Sequence, residues 1–357
     1  MGPGPSDVHP RVLKAMSTPL IGHLDPEFVE IMNEIKEMTQ QTFQTKNHLT
    51  FVVSAPGSAG METCLVNLLE PGDEAIICIH GVFGGRMTDI AERCGAKVTR
   101  VEADWGTPID PAQVQVALNH VKKPKMVAIV HAETSTGVLQ PLEEISEMAR
   151  NAGALMVVDA VTSYCGTDLK VDEWGIDAIY SGTQKCLSAP PGLSPVSFSQ
   201  KAVHVLEHRK TKVQSWFLDL SLVRNYWAGA KRAYHHTAPV SAMFALREAL
   251  QLVLEEGLEN RFNRHRNQHE LLKDGLISLG FEFLVDKEFR LPMLNAVKVP
   301  DGVDEALVRR RLLEEYNIEI GGGLGKFAGS LWRIGLMGES ATSNHVNMLL
   351  SALKTIL

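Results

Sequence analysis

The chain has 357 residues, 45% of them hydrophobic and 22% charged, which is ordinary globular composition and long enough for roughly two domains. A formal net charge of -7 gives no basic surface for a nucleic-acid partner. The longest apolar runs, such as Ala154–Val158, are far too short to span a membrane.

In chain order, Leu49–Ser54 reads as a strand and Gly60–Leu69 as a helix closed by Glu70-Pro-Gly-Asp73. Ala75–Ile79 is predicted as a strand, Arg86–Cys94 as a helix ended by Gly95, Lys97–Glu102 as a strand and Pro111–His120 as a helix. Then come a strand over Met126–His131, a helix over Leu142–Asn151 ended by Gly153, and strands over Ala154–Asp159 and Ala178–Ser181. This alternation implies an α/β fold with a mostly parallel sheet covered on both faces. Runs without polar alternation, such as Met156–Val158, fit strands buried on both sides. A long amphipathic stretch from Val240 to Leu254 leads to Gly257. Beyond it helices are expected over Arg261–Leu279, Val303–Glu315 and Ser343–Leu357, and strands over Phe281–Val285, Asn295–Val299 and Ile318–Ile320. The mixed order suggests a smaller α+β domain, so residues 1–257 form the large domain and 258–357 the small one. Five cysteines with no C-x-x-C pair suit reduced thiols, and the chain opens without an apolar targeting run, so a cytoplasmic protein is expected.

Ligands in open α/β sheets bind beyond the carboxyl ends of the strands, and three of those ends carry suggestive residues. Ser54-Ala-Pro-Gly-Ser-Ala-Gly60 joins a strand to a helix; it is either an anion nest or a plain turn. Asp159 ends a buried strand, where a carboxylate needs a partner unless it caps the following segment. Lys185 follows the strand at Ala178 and is either a snorkelling surface residue or a nucleophile. Together the three match one chemistry. A lysine amine forms a Schiff base with an aldehyde cofactor, an acid keeps a pyridine nitrogen protonated, and an anion nest fixes a phosphate.

An ordered series of segments adds to this reading. It runs through Gly2-Pro-Gly-Pro-Ser6, Phe43-Gln-Thr45, Glu70-Pro-Gly-Asp73, Glu133-Thr-Ser-Thr-Gly-Val-Leu-Gln-Pro141 and Tyr180-Ser-Gly-Thr-Gln-Lys185. It continues in Ala189-Pro-Pro-Gly192, Tyr234-His-His-Thr237, Arg290-Leu-Pro292, Gly322-Gly-Leu-Gly325 and Trp332-Arg-Ile-Gly335. In these the chain resembles the class V, fold-type I aminotransferases, nearest their alanine–glyoxylate and serine–pyruvate members. The resemblance implies pyridoxal 5'-phosphate as cofactor. Lys185 would carry it and shuttle the proton, Asp159 would pair with the pyridinium nitrogen, and Phe83 would stack on the ring where relatives often have tryptophan. The backbones of Ser58 and Ala59 and the Gln184 side chain would bind the phosphate, Thr134 would reach the ring edge, and Val161 would pack beneath it. Tyr234 and Thr237 would reach the phosphate of a partner subunit, making the active site a property of a homodimer. Arg333 would clamp the substrate carboxylate through its planar fork, with Pro3 and Gly4 lining the same pocket by backbone. With no second arginine clamp of the dicarboxylate kind, the expected reaction is ping-pong transfer of the amino group of alanine or serine to glyoxylate or pyruvate.

Two other readings compete. A lyase or desulfurase of the same fold needs a further nucleophile, and neither Cys165 nor Cys186 has the loop setting for it. A catalytically silent cofactor-binding protein has no use for Lys185, Asp159 and Arg333 together. His265 and His269 have zinc-compatible spacing but are expected on a solvated helix face. Gly321-Gly-Gly-Leu-Gly-Lys326 resembles a nucleotide-binding loop but carries Phe327 where Ser or Thr is required, and is expected to be a flexible segment near the substrate carboxylate.

Overall fold

In a computed structural model of the protein, described over residues 1–227 and 232–357, twelve strands lie in three sheets. They are β1 (Leu49–Val53), β2 (Glu74–Ile79), β3 (Lys97–Glu102), β4 (Pro124–Val130), β5 (Ala132–Glu133), β6 (Val138–Leu139) and β7 (Leu155–Asp159). β8 (Ala178–Tyr180), β9 (Ser194–Phe198), β10 (Leu294–Lys298), β11 (Gly321–Gly322) and β12 (Leu331–Gly335) complete them. The main sheet has the order β1-β9-β8-β7-β4-β2-β3. Its neighbours pair in parallel except on the two sides of β9. Strands β4 and β7 are buried along almost their whole length, because helices cover both faces.

Local signals explain much of this. Asp110 caps the helix Pro111–His120 through the Ala112 N–H, with proline at its first position. Asp25 and Pro26 open the helix Pro26–Phe43 in the same way. The helix Gly57–Leu68 starts three residues earlier than expected: Pro56 sets its entry, and the glycines of the turn form its first coil rather than a loop. The helix Val82–Arg93 likewise starts four residues early.

A second core of Leu272, Leu276, Val297, Trp332, Ile334, Val346 and Leu349 packs around the sheet β10-β12-β11. Two expected strands are absent. Phe281–Val285 contributes a single bridge from Phe283 to Val297, and Ile318–Ile320 is an extended lead-in to β11. Both are alternating apolar segments whose side chains find the core without a full ladder. His265 and His269 are buried, not solvated. The His265 ring accepts from the Gly338 N–H and bonds the Arg261 carbonyl, and His269 pairs with the Asn295 side chain. Neither belongs to a metal-binding cluster among the described residues. All five cysteines are free and buried. No helix among the described residues is long and apolar enough to cross a membrane.

The helix Val82–Arg93 crosses β2 closely enough that a Cβ on Gly84 would lie 2.7 Å from the Cys78 carbonyl oxygen and 2.9 Å from the Ile79 Cα. Both are backbone atoms that cannot swing away. Gly84→Ala should therefore destabilise the fold by about 1–3 kcal/mol in chemical denaturation. Gly85→Ala, at a position with open space, should be neutral or stabilising by about 0.5–1 kcal/mol.

Candidate active site

One pocket opens beyond the ends of β4, β7 and β8. Ser58, Phe83, Thr134, Asp159, Val161, Gln184 and Lys185 all line it. The segments carrying them are distant in sequence and converge because parallel strands present their carboxyl ends on one edge of the sheet.

Lys185 is not a snorkelling surface residue. Its carbonyl accepts from Ser6 Oγ at 2.6 Å and from the Ser188 N–H at 2.9 Å, and the Ser6 N–H donates to the Gln184 carbonyl at 2.8 Å. Its amine donates to the Pro3 carbonyl. Gly4, at φ 102°, lies flat against it: a Cβ there would sit 2.7 Å from Nζ. The amino-terminal segment thus folds over the lysine and is held at the far end by the Gly335 N–H bonding the Met1 carbonyl. Burial, then the Arg333 charge, pulls the Lys185 amine down to about 8. A substantial fraction of the amine is therefore neutral and nucleophilic near physiological pH.

Asp159 lies at the end of β7, 3% exposed. It accepts from the Val161 N–H and the Tyr180 hydroxyl, each at 2.9 Å. Burial nevertheless pushes its carboxyl up to about 6, because those bonds, Arg86 and Lys185 only partly offset the lost solvation. Glu133, wholly buried, is pushed up to about 7 by burial, with the Asp159 charge adding to the rise.

Arg333 is 8% exposed on β12. Its Nε donates to the Gly322 carbonyl at 2.8 Å and Nη1 to the Thr134 carbonyl at 3.2 Å, which sets the guanidinium plane and leaves Nη2 and part of Nη1 free for an anion. The glycine-rich segment after Ile320 is β11 and frames this arginine; it is not a phosphate loop. At the opposite end of the pocket the Ala59 N–H is engaged by the Pro56 carbonyl, while Gly57 and Ser58 hold the first amides of a helix, which have no intrahelical partner. The Gln184 Oε1 is buried without a partner.

Tyr234 and Thr237 do not reach this pocket. Both are exposed, Tyr234 at 65%, with its ring beside His23. Arg86 was not anticipated. It donates to Ser58 Oγ at 3.1 Å and stands over the Phe83 ring at 5.0 Å. Its i+3 spacing from Phe83 on one helix face is the signal that points to it. Glu133 is the other unforeseen group, inside a recognised segment but without an assigned task.

The pocket fits pyridoxal phosphate. A buried carboxylate with a raised pKa lacks a full counter-cation, a tethered amine of lowered pKa stands near it, and a helix start with unpaired amides lies across the cavity.

Comparison with known proteins agrees. Residues 4–330 match the family model described as aminotransferase class-V. The chain is 42% identical over its full length to the (S)-ureidoglycine–glyoxylate transaminase of Bacillus subtilis, of which it covers 90%. It is 42% identical to the alanine–glyoxylate aminotransferase of Drosophila melanogaster, over 99% of this chain and 90% of that one. A solved alanine–glyoxylate aminotransferase from Nostoc superposes with a TM-score of 0.97 at 46% identity, covering 100% of this chain and 94% of that one. The chain belongs to the class V aminotransferases, has their fold-type I architecture, and uses pyridoxal phosphate.

The raised Asp159 value fixes a pH dependence. In the cofactor-free protein its native form holds a proton up to about 6, against an ordinary 3.8. Its contribution to stability is thus complete below 3.8 and lost as pH rises through 6. Asp159→Asn should gain thermal stability relative to the cofactor-free parent as pH rises through that window. With cofactor bound the order should reverse, which melting curves of both proteins across pH will check.

Proposed function

We propose that this aminotransferase moves the amino group of a small amino acid, alanine or serine, to glyoxylate or pyruvate. The observation that carries the proposal is the buried, half-satisfied guanidinium of Arg333 beside the Lys185 amine, which matches one carboxylate close to one reacting amino group. Glyoxylate is favoured as acceptor, since it is common to the names of the relatives from Bacillus and Drosophila. The Bacillus relative makes ureidoglycine a donor worth testing beside the other two.

When bound, pyridoxal phosphate supplies an aldehyde for the amine and a ring that accepts electrons from the substrate carbon. The protein does the rest. Lys185 Nζ would hold the cofactor and, when free, is the base placed to move the Cα proton of the substrate. Asp159 keeps the ring nitrogen protonated. Phe83, Val161 and Thr134, which line the pocket, would confine the ring. The amides of Ser58 and Ala59 and the Gln184 side chain hold the phosphate; for Ala59, release of the Pro56 bond would be needed. Arg333 orients the carboxylate, and Gly4 with Pro3 closes the pocket over the amine.

In this reading the enzyme is a homodimer, with Tyr234 and Thr237 completing the neighbour's phosphate site. Their exposure, and their absence from the lining of their own pocket, support it. The domain boundary lies at Gly257, between the helices Val240–Glu256 and Leu258–Ser278. Five free cysteines suit a reducing compartment such as the cytoplasm.

Mixing single amino acids with the enzyme and following the cofactor absorbance identifies the donor. Glycine formed from glyoxylate in the return step identifies the acceptor. Failure of alanine, serine and ureidoglycine alike would overturn the proposal.

Arg333→Lys keeps the charge but loses the fork, so binding of alanine, serine and glyoxylate should each weaken by about 1.5–3 kcal/mol. Ethylamine, without a carboxylate, should react as with the parent; an equal loss for ethylamine would remove the clamp. Tyr234→Phe should weaken cofactor retention by about 1–2 kcal/mol. In mixed dimers the loss should follow the site that receives the altered ring from its neighbour, and retention tracking a chain's own Tyr234 would contradict the shared site.

A further inference from the structure

The helix Val82–Arg93, which carries Phe83, begins without a cap of its own. Gly81 stands at its amino end and has no side chain to offer the first free amides. The acceptors come from about fifty residues further on. Ser135 Oγ accepts from the Val82 N–H at 3.0 Å, and Glu133 Oε2 accepts from the Phe83 N–H at 3.3 Å. The other carboxylate oxygen, Oε1, accepts from the Ser135 N–H at 3.0 Å and from its hydroxyl at 2.5 Å. The serine proton is thereby committed to Glu133, and its lone pairs are turned toward Val82. Gly81 is glycine for lack of room: a Cβ would lie 2.3 Å from both Glu133 Cγ and Cδ and 2.5 Å from Ser135 Oγ. A negative group at this end of a helix is also favoured by the peptide dipoles. Between the two capping residues, Thr134 lines the pocket and offers its carbonyl to Arg333.

We infer that Glu133 is a positioning residue: with Ser135 it caps the Phe83 helix from another segment, fixing the stacking ring against the cofactor and linking that ring to the arginine that receives the substrate. The inference rests on the reading of Phe83 as the stacking ring.

Glu133→Gln keeps the size of the side chain but brings an NH2 group that must face either Ser135 or the Phe83 N–H. The rate of cofactor release from the holoenzyme should rise about three- to tenfold, the effect of losing one ordinary hydrogen bond. The visible circular dichroism of the bound cofactor should fall with it. In a Phe83→Leu background the same substitution should add little, since the ring it positions is gone. Glu133→Gln that leaves release and dichroism unchanged overturns the inference, as does an equal effect in both backgrounds. Where Glu133→Gln is not recovered folded, Ser135→Ala gives the same comparison with a smaller change in the same direction. Phe83→Leu alone separates the two readings. If it alters neither signal, the stacking assignment fails and the positioning role fails with it; if it alters both while Glu133→Gln and Ser135→Ala do not, only the positioning role fails.

Discussion

Two cations in one buried pocket set the terms for the rest of the molecule. The Lys185 amine and the Arg333 guanidinium both lose solvation, and the arginine charge adds to the fall in the lysine's pKa. Each needs anions that the chain supplies incompletely. Asp159 and Glu133 are the buried acids of the site, and each is held toward its protonated form by burial, with the Asp159 charge adding to the rise at Glu133. A site with unspent positive character and poorly solvated carboxyls is completed by ligands that bring a phosphate, a protonated ring nitrogen and a carboxylate.

Holding two like charges together requires rigid anchors, and these come from remote parts of the chain. Lys185 is pinned through its carbonyl by Ser6, and its neighbour Cys186 by Arg261, whose Nη2 donates to the Cys186 carbonyl at 2.6 Å. Arg333 is oriented by Thr134 from the turn between β5 and β6 and by Gly322 from β11. The sheet that carries Arg333 therefore meets the β5-β6 pair at the site, and the amino-terminal segment bridges Gly335 and Lys185. No single segment defines the pocket, which explains why backbone carbonyls supply so many of its contacts: they can be placed without constraining side-chain chemistry.

Exposure of Tyr234 and Thr237 belongs to the same logic. Tyr234 lies largely in solvent with its ring beside His23, and neither it nor Thr237 lines the pocket of its own chain. The first amides of the helix at Gly57 and Ser58 have no intrahelical partner and leave that end of the pocket suited to an anion.

The sequence by itself determined the alternation of strands and helices, and the Lys97–Glu102 strand and the Pro111–His120 helix with their observed bounds. Those features are written locally: in apolar period, in Asp-Pro caps and glycine stops. β9 stayed hidden because Pro195 sits inside it, and proline argues against an interior strand until the antiparallel partners that need no donor there are known. The helix Pro26–Phe43 carries the same Asp-Pro signal but lies before the first apolar strand, where no strand-helix alternation marks it. Tertiary structure alone decided that His265 and His269 are buried, that Arg86 meets Ser58, and that Glu133 caps a helix begun fifty residues earlier. The physical reason is common to all three: hydrogen bonds and burial between distant segments have no period and no spacing, so they exist only once the sheet has brought the strand ends together.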